Sequence, residues 1–171
     1  MFDSKGVPII RLKRISRDKE FLMYKFRTMF LGSENHKNEL AQNNIRNDSP
    51  FFKMENDPRV TKFGKILRKT RLDELPQFLN VLFGQMSLVG PRPHETEEVL
   101  KFDEGAKILI KNKAGITGMA QVTGAEQKKP FLPFFEEVRL EKYYNDNWSL
   151  GLDFKIILKT IKILLTDKSA W

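Results

Sequence analysis

Leu72-Asp73-Glu74-Leu75-Pro76-Gln77-Phe78-Leu79-Asn80-Val81-Leu82-Phe83-Gly84 joins a pair of adjacent acids to a helical pattern. Leu75, Phe78, Leu79 and Leu82 recur at i, i+3, i+4 and i+7, the period of an amphipathic helix, and Gly84 is a natural stop. Pro76 suits the first turn, where its missing N–H is no loss. Asp73 and Glu74 then sit at the helix N-terminus, where the dipole favours ionised carboxylates. Acids in that place either cap the helix or take part in chemistry, and this stretch alone permits both.

Upstream, Arg59 to Thr70 reads as a second helix, with Val60, Phe63 and Leu67 on one face and Lys62, Lys65, Arg68 and Lys69 on the other. Such a basic face is either solvated or laid on an anionic surface. Downstream, Ser87-Leu88-Val89-Gly90-Pro91-Arg92-Pro93 is a rigid turn that holds one arginine between two prolines. Pre-organisation of this kind lowers the entropic cost of a bidentate phosphate or carboxylate contact, although a tight turn with an incidental charge has the same sequence.

Farther out, Val7–Ile10 and Phe21–Phe26 are expected to form a hairpin about a polar turn at Ser16–Lys19. Residues 32–58, rich in Asn and Pro, are expected to be a mobile loop or short helix. Helices are expected over 95–113, 134–147 and 150–165, with a glycine-framed loop at 115–124. The last helix is apolar around most of its circumference and has Lys155, Lys159 and Lys162 in a narrow stripe. It is either deeply packed or lies in a membrane interface with its lysines snorkelling.

Composition narrows the classes. The 171 residues suffice for one domain, 40% of them are hydrophobic, and Cys is absent, which excludes disulfides, thiolate nucleophiles and Cys-based zinc sites. Two histidines do not make a His-rich metal centre. No apolar run reaches the roughly 18 residues of a spanning helix, and Lys5, Arg11, Lys13 and Arg14 interrupt any leader pattern. The expectation is a domain on the cytosolic side. The net charge of +8 falls almost wholly on residues 1–90. That basic half suits nucleic acid, anionic lipid or phosphorylated small molecules.

Several segments together resemble one family, the bacterial sugar transferases, monotopic phosphoglycosyl transferases acting on polyprenyl phosphate. They are Lys25–Met29, Leu72–Gln77, Asn80–Leu82 with Gly84, Met86–Pro93, Gly115–Gly118, Gln121-Val122, Tyr143-Tyr144, Asn147–Ser149 and Leu152-Asp153, in order across nearly the whole chain. The resemblance implies transfer of a sugar 1-phosphate from a nucleotide sugar, most commonly a UDP-sugar, to a polyprenyl (undecaprenyl) phosphate. Exopolysaccharide, capsule or lipopolysaccharide assembly would be the setting. It implies Asp73 as the nucleophile that becomes a phosphosugar adduct, and Glu74 beside it in holding Mg²⁺. Lys25, Arg27 and Arg68 would supply fixed positive charge. Arg92, framed by Pro91 and Pro93, would grip a phosphate or seat the nucleotide, and Gln121 would join the substrate-binding set. Phosphoryl transfer is mostly positioning and charge stabilisation, which suits cations gathered around a carboxylate.

The implied fold is a mixed α/β (α+β) single domain over residues 1–171, mainly helical with a small β element, on the cytoplasmic face of the plasma membrane. Helices 59–71 and 150–165 would lie against an anionic membrane surface. Family members usually carry a hydrophobic re-entrant helix ahead of the segment that opens this chain. The expectation is therefore a catalytic domain lacking that helix, either as a fragment or with its anchor supplied by another chain, so that a separate anchor polypeptide or a homo-oligomer is the partner. Ala125 stands where an arginine is common, so one phosphate or sugar contact is either missing or replaced by Lys128 or Lys129; Met119-Ala120, Glu141 and Ser16 are further departures. Two rivals are a non-catalytic membrane-associated relative and a nucleic-acid-binding module. The second lacks interleaved aromatic stacking residues, and the expectation is no nucleic-acid partner.

Overall fold

A computed structural model describes residues 5–36, 39–46, 48–129 and 131–166. It is a mixed α/β structure in which two small sheets are set among helices, as expected. β1 (Ile9–Ser16) and β2 (Lys19–Phe26) form an antiparallel hairpin with Ser16 paired to Lys19. Arg17 and Asp18 between them both adopt positive φ, the two-residue turn whose twist matches that of the strands. β3 (Ser87–Val89) and β4 (Gly115–Thr117) pair in parallel. Gly90 and Gly115 make that approach possible, because a Cβ on either would run into the other's strand backbone.

α1 (Lys62–Lys69) begins where Thr61 Oγ1 accepts the Gly64 N–H at 2.9 Å, an N-cap that starts the helix later than the basic pattern suggested. Thr61 N–H donates to the Thr28 carbonyl at 3.0 Å, so the helix is pinned to the chain just beyond β2. A 3-10 turn over Leu72–Glu74 leads through Pro76 into α2 (Gln77–Leu82). The periodic apolar residues of this stretch face outward: Phe78 is 48% and Leu82 80% exposed, while the polar Gln77 and Asn80 are buried. The helix is amphipathic with its polar side turned in.

The single helix expected over 95–113 is two short ones, α3 (Thr96–Val99) and α4 (Ile108–Lys111). Glu95 and Glu98 form a capping box at the start of α3, and Asp103 Oδ1 accepts the Ala106 N–H between the helices. The expected glycine-framed loop is β4 followed by α5 (Met119–Glu126). α6 (Phe134–Asp146) and α7 (Leu150–Thr166) lie close to expectation. Ile156 of α7 is fully buried with Val89, Val122 and Tyr144, whereas Leu150, Phe154, Leu158 and Leu165 are exposed. That helix is thus half packed and half bare. None of the described helices is long and apolar enough to cross a membrane.

The described residues of 32–58 are irregular, with 3-10 turns at Ser33–His36 and Ala41–Asn43, and two of their side chains reach the core. Phe51 is buried among Phe102, Ala106, Leu109 and Ile110, and its ring stacks on His94 at 5.1 Å between centroids. Arg46 is buried too, donating to the Leu132 carbonyl and facing Glu137.

Candidate active site

Asp73 is held by the chain on both sides. Arg71 adopts positive φ just ahead of it, and the Arg71 carbonyl accepts the Glu74 N–H at 3.3 Å, winding the 3-10 turn that carries the acid. The residue is 4% exposed, and Lys25 from β2 places its Nζ 2.8 Å from Asp73 Oδ2 and 3.5 Å from Glu74 Oε1. Two carboxylate oxygens from adjacent residues therefore converge on one cation.

Arg68 reaches the same place from α1. Its Nε donates to Thr28 Oγ1 at 3.0 Å, which fixes the guanidinium plane. Burial lowers its pKa, while the nearby charges of Asp73 and Asp57 work in the opposite direction. Asp57 itself forms a buried two-pronged pair with Arg59, Oδ2 to Nη2 at 2.7 Å, and the Arg59 carbonyl receives the Phe30 N–H. This knot holds the start of α1 to the segment after β2.

Arg27 stands apart from the other expected charges. Its Nε donates to the Val7 carbonyl at 2.9 Å and its Nη1 to the Met29 carbonyl at 3.1 Å, with the side chain buried. Those bonds tie the two ends of the hairpin region together. Arg27 thus braces the backbone around the hairpin.

Arg92 belongs to a second cationic group. Pro91 and Pro93 are buried and Arg92 is exposed, its guanidinium 5.7 Å from the centre of the Phe51 ring. Arg46 lies over the same ring at 4.7 Å and over Phe131 at 5.0 Å. Lys53 completes the group: burial, with Arg92, Arg46 and Arg71 nearby, brings its pKa down to about 8. Arg71, two residues before Asp73, links this group electrostatically to the acid's surroundings. Beneath it, burial lowers the pKa of His94, with Glu98 working in the opposite direction and Arg92 and Arg14 adding to the lowering. Burial pushes Glu98 up, but His94, Arg92 and the Glu95 N–H outweigh it and bring the carboxyl to about 2.

Gln121 sits at the start of α5, its side chain against Gly118, which in turn abuts the Gly90 backbone. Its Nε2 donates to the Ile116 carbonyl at 3.5 Å, and its Oε1 is buried without a partner. Glu141 receives the Ala120 N–H at 3.2 Å, and burial pushes its pKa up to about 7. Ser16 has a use for its hydroxyl, which donates to the Gln85 carbonyl and accepts the Ala114 N–H. In the Asn147–Asp153 stretch, Asp153 accepts from Tyr144 Oη at 2.7 Å and Trp148 Nε1 at 3.3 Å, a packing role.

The structure thus joins Asp73, Glu74 and Lys25, brings Arg68 within electrostatic range of Asp73, sets Arg92 in a neighbouring cluster, and engages Arg27 with backbone carbonyls. Sequence reasoning missed Lys53, Arg46 and Asn80. The first two lie in a stretch read as loop, and the third was part of a motif without an assigned task.

Among the described residues, no group of three or more His, Asp or Glu is arranged to hold a metal ion. Asp73 and Glu74 nonetheless fit Mg²⁺ in part. Their convergence on the Lys25 ammonium shows that two carboxylate oxygens can face a single cation, with phosphate and water left to complete an oxygen shell.

Comparison with known proteins gives the family. Residues 1–167 match the family described as bacterial sugar transferase. The chain is 42% identical over 166 residues to galactosyl transferase CpsE of Streptococcus agalactiae, covering 96% of this chain and 36% of that protein. It is 42% identical over 174 residues to the UDP-glucose:undecaprenyl-phosphate glucose-1-phosphate transferase of Klebsiella pneumoniae, covering 98% and 35%. It is 38% identical over 170 residues to the undecaprenyl-phosphate galactose phosphotransferase of Salmonella typhimurium, covering 97% and 35%. The chain spans about a third of the length of these curated relatives. With its family match running nearly end to end, and with the paired acids and their cations carried on the matching segments, the chain belongs to the bacterial sugar transferase family.

Proposed function

We propose that this domain transfers a sugar 1-phosphate from a nucleotide-diphosphate sugar, a UDP-sugar, to undecaprenyl phosphate at a membrane surface, using Asp73 as the covalent carrier. The observation that carries the reading is the buried Asp73 carboxylate paired with Lys25 at 2.8 Å beside Arg68. The names of the relatives from Klebsiella and Salmonella support the acceptor class.

In the first half-reaction an Asp73 oxygen attacks the phosphorus nearer the sugar, and the bond to the bridging oxygen breaks, releasing a nucleoside monophosphate. In the second, an oxygen of the polyprenyl phosphate attacks the same phosphorus, and the Asp73 carboxylate leaves. The product is a polyprenyl diphosphate sugar, and the two steps give ping-pong kinetics. Lys25 holds the carboxylate in place and offsets charge as the anionic donor approaches, while Arg68 fixes a second positive charge from α1. Mg²⁺ held by Asp73 and Glu74 would supply further neutralisation of the diphosphate. Arg92, with Arg46 and Lys53 beside it, offers the place for the phosphate that leaves with the nucleoside.

The acceptor's tail stays in a bilayer, so the site has to meet the membrane at headgroup level. The bare apolar face of α2 supports an interfacial placement of this end of the domain, which we assign to the cytoplasmic face of the membrane. The exposed face of α7 is the second such surface.

The test is incubation with a labelled UDP-sugar and Mg²⁺ in detergent or lipid, followed by mass analysis of the peptide containing Asp73. A phosphosugar adduct in the wild type that is lost in Asp73→Asn supports the reading. Loss of the label from the wild type on addition of undecaprenyl phosphate completes the cycle. Absence of any adduct in lipid, at saturating donor, overturns it.

A further inference from the structure

Asn80 is fully buried on a helix whose apolar residues face out. Its carboxamide is completely used. Oδ1 accepts the Tyr24 N–H at 2.9 Å, and Nδ2 donates to the Leu22 carbonyl at 2.7 Å and to Gln85 Oε1 at 2.7 Å. Leu22 and Tyr24 lie on the edge of β2 away from β1, so one side-chain amide does there what a third strand would do. The orientation of the amide is fixed by its partners, since a flip would set donor against donor and acceptor against acceptor. An apolar side chain of similar size would fill the space but would not define where along α2 the strand must sit.

The next residue of β2 is Lys25, and the turn leading into α2 carries Asp73. Asn80 therefore joins the two pieces whose side chains meet at 2.8 Å. We propose that Asn80 is a positioning residue for the transfer reaction, setting the Lys25 ammonium against the Asp73 carboxylate by clamping β2 to α2. This rests on the reading of Lys25 and Asp73 given above. Gln85 acts one step farther out: it holds the other amide proton of Asn80 and does not touch β2 in this network.

The test is a double-mutant cycle on the rate of adduct formation at saturating donor, in lipid with Mg²⁺, for wild type, Lys25→Ala, Asn80→Ala and the double variant. Lys25→Ala is expected to lose about 100-fold, and Asn80→Ala about 10-fold with donor KM changed by less than about 2-fold. The double variant is expected to match Lys25→Ala alone, because the location of an absent ammonium no longer matters. Hydrogen exchange at the Tyr24 amide provides a readout independent of turnover, protected in the wild type and fast in Asn80→Ala. If Asn80→Ala does not yield folded protein, Asn80→Ser takes its place in the same cycle. Multiplicative losses near 1000-fold in the double variant, with Lys25→Ala impaired, overturn the positioning role alone. A Lys25→Ala enzyme with the wild-type rate overturns the catalytic reading and this proposal with it.

Discussion

Arg46 Nη1 lies 3.0 Å from Glu137 Oε1, with both side chains largely buried, and the pair binds the irregular segment before α1 to α6. Burial raises the pKa of Glu137, and Arg46 and Arg92 work against that rise. Arg46→Ala would leave a desolvated acid without its ion partner. The expected loss is about 3 kcal/mol, read from urea unfolding. Arg46→Ala combined with Glu137→Leu is expected to recover part of it, since no lone charge then remains.

The pH dependence of stability has two components of opposite sign. Glu98 is held at about 2, below its ordinary 4.5, so its contribution is present above 4.5 and is lost as pH falls toward 2. Glu141 is raised to about 7, so the unfolded chain ionises first and stability declines as pH climbs from 4.5 to 7. Glu141→Gln keeps the acceptor for the Ala120 N–H but cannot ionise. It is expected to remove the Glu141 share of the decline, leaving that of Glu137, and to make the variant more stable than wild type at pH 8 by up to about 3 kcal/mol. Denaturant titrations at pH 4.5 and 8 measure the difference.

Outward-facing Phe78 and Leu82 give a direct handle on membrane contact. Phe78→Glu with Leu82→Glu removes apolar area and adds repulsion toward anionic headgroups. Binding to vesicles containing anionic lipid is expected to fall by about 10-fold or more, while the unfolding midpoint stays within about 0.5 kcal/mol of wild type. Co-sedimentation and thermal unfolding on the same preparations separate these effects. Unchanged binding would remove α2 from the interface.

Gly64 is a packing constraint on the site. A Cβ there would collide with the Thr28 carbonyl, which is where Thr61 anchors α1. Arg68 binds Thr28 Oγ1 from the same helix. Gly64→Ala is therefore expected to shift α1 away from residue 28, costing about 2 kcal/mol of stability and lowering adduct formation about 10-fold. Denaturant unfolding and single-turnover labelling check both.

Much of this site was legible because its groups sit in short, self-contained motifs. Asp73 and Glu74 are adjacent, Arg68 is one helix turn and a bend away, and Lys25 follows an alternating strand. The hairpin was likewise local, two extended runs and a polar turn. What escaped was tertiary. Phe51 stands in a polar, Asn-rich stretch, and nothing within that stretch says that its ring will lie on His94, far along the chain. Periodicity along Leu75–Leu82 found the apolar face but not its direction, because a hydrophobic stripe looks the same whether it meets a core or a lipid. Arg27 has the charge and the neighbourhood of a ligand-binding residue. That the carbonyls of Val7 and Met29 are its partners is set by the fold and shows in no local pattern.

Parallel strands cannot be joined by a tight turn, and the β3–β4 pair closes only after α3 and α4 have been laid down between its members. The hairpin can form as soon as its residues leave the ribosome, but the arginine turn that follows β3 must wait for Gly115 to arrive. Such delayed closure is slow and exposes the intervening chain. Newly made molecules thus hold a finished hairpin well before the turn at Pro91–Pro93 is braced, and their dependence on chaperones should be concentrated in that interval.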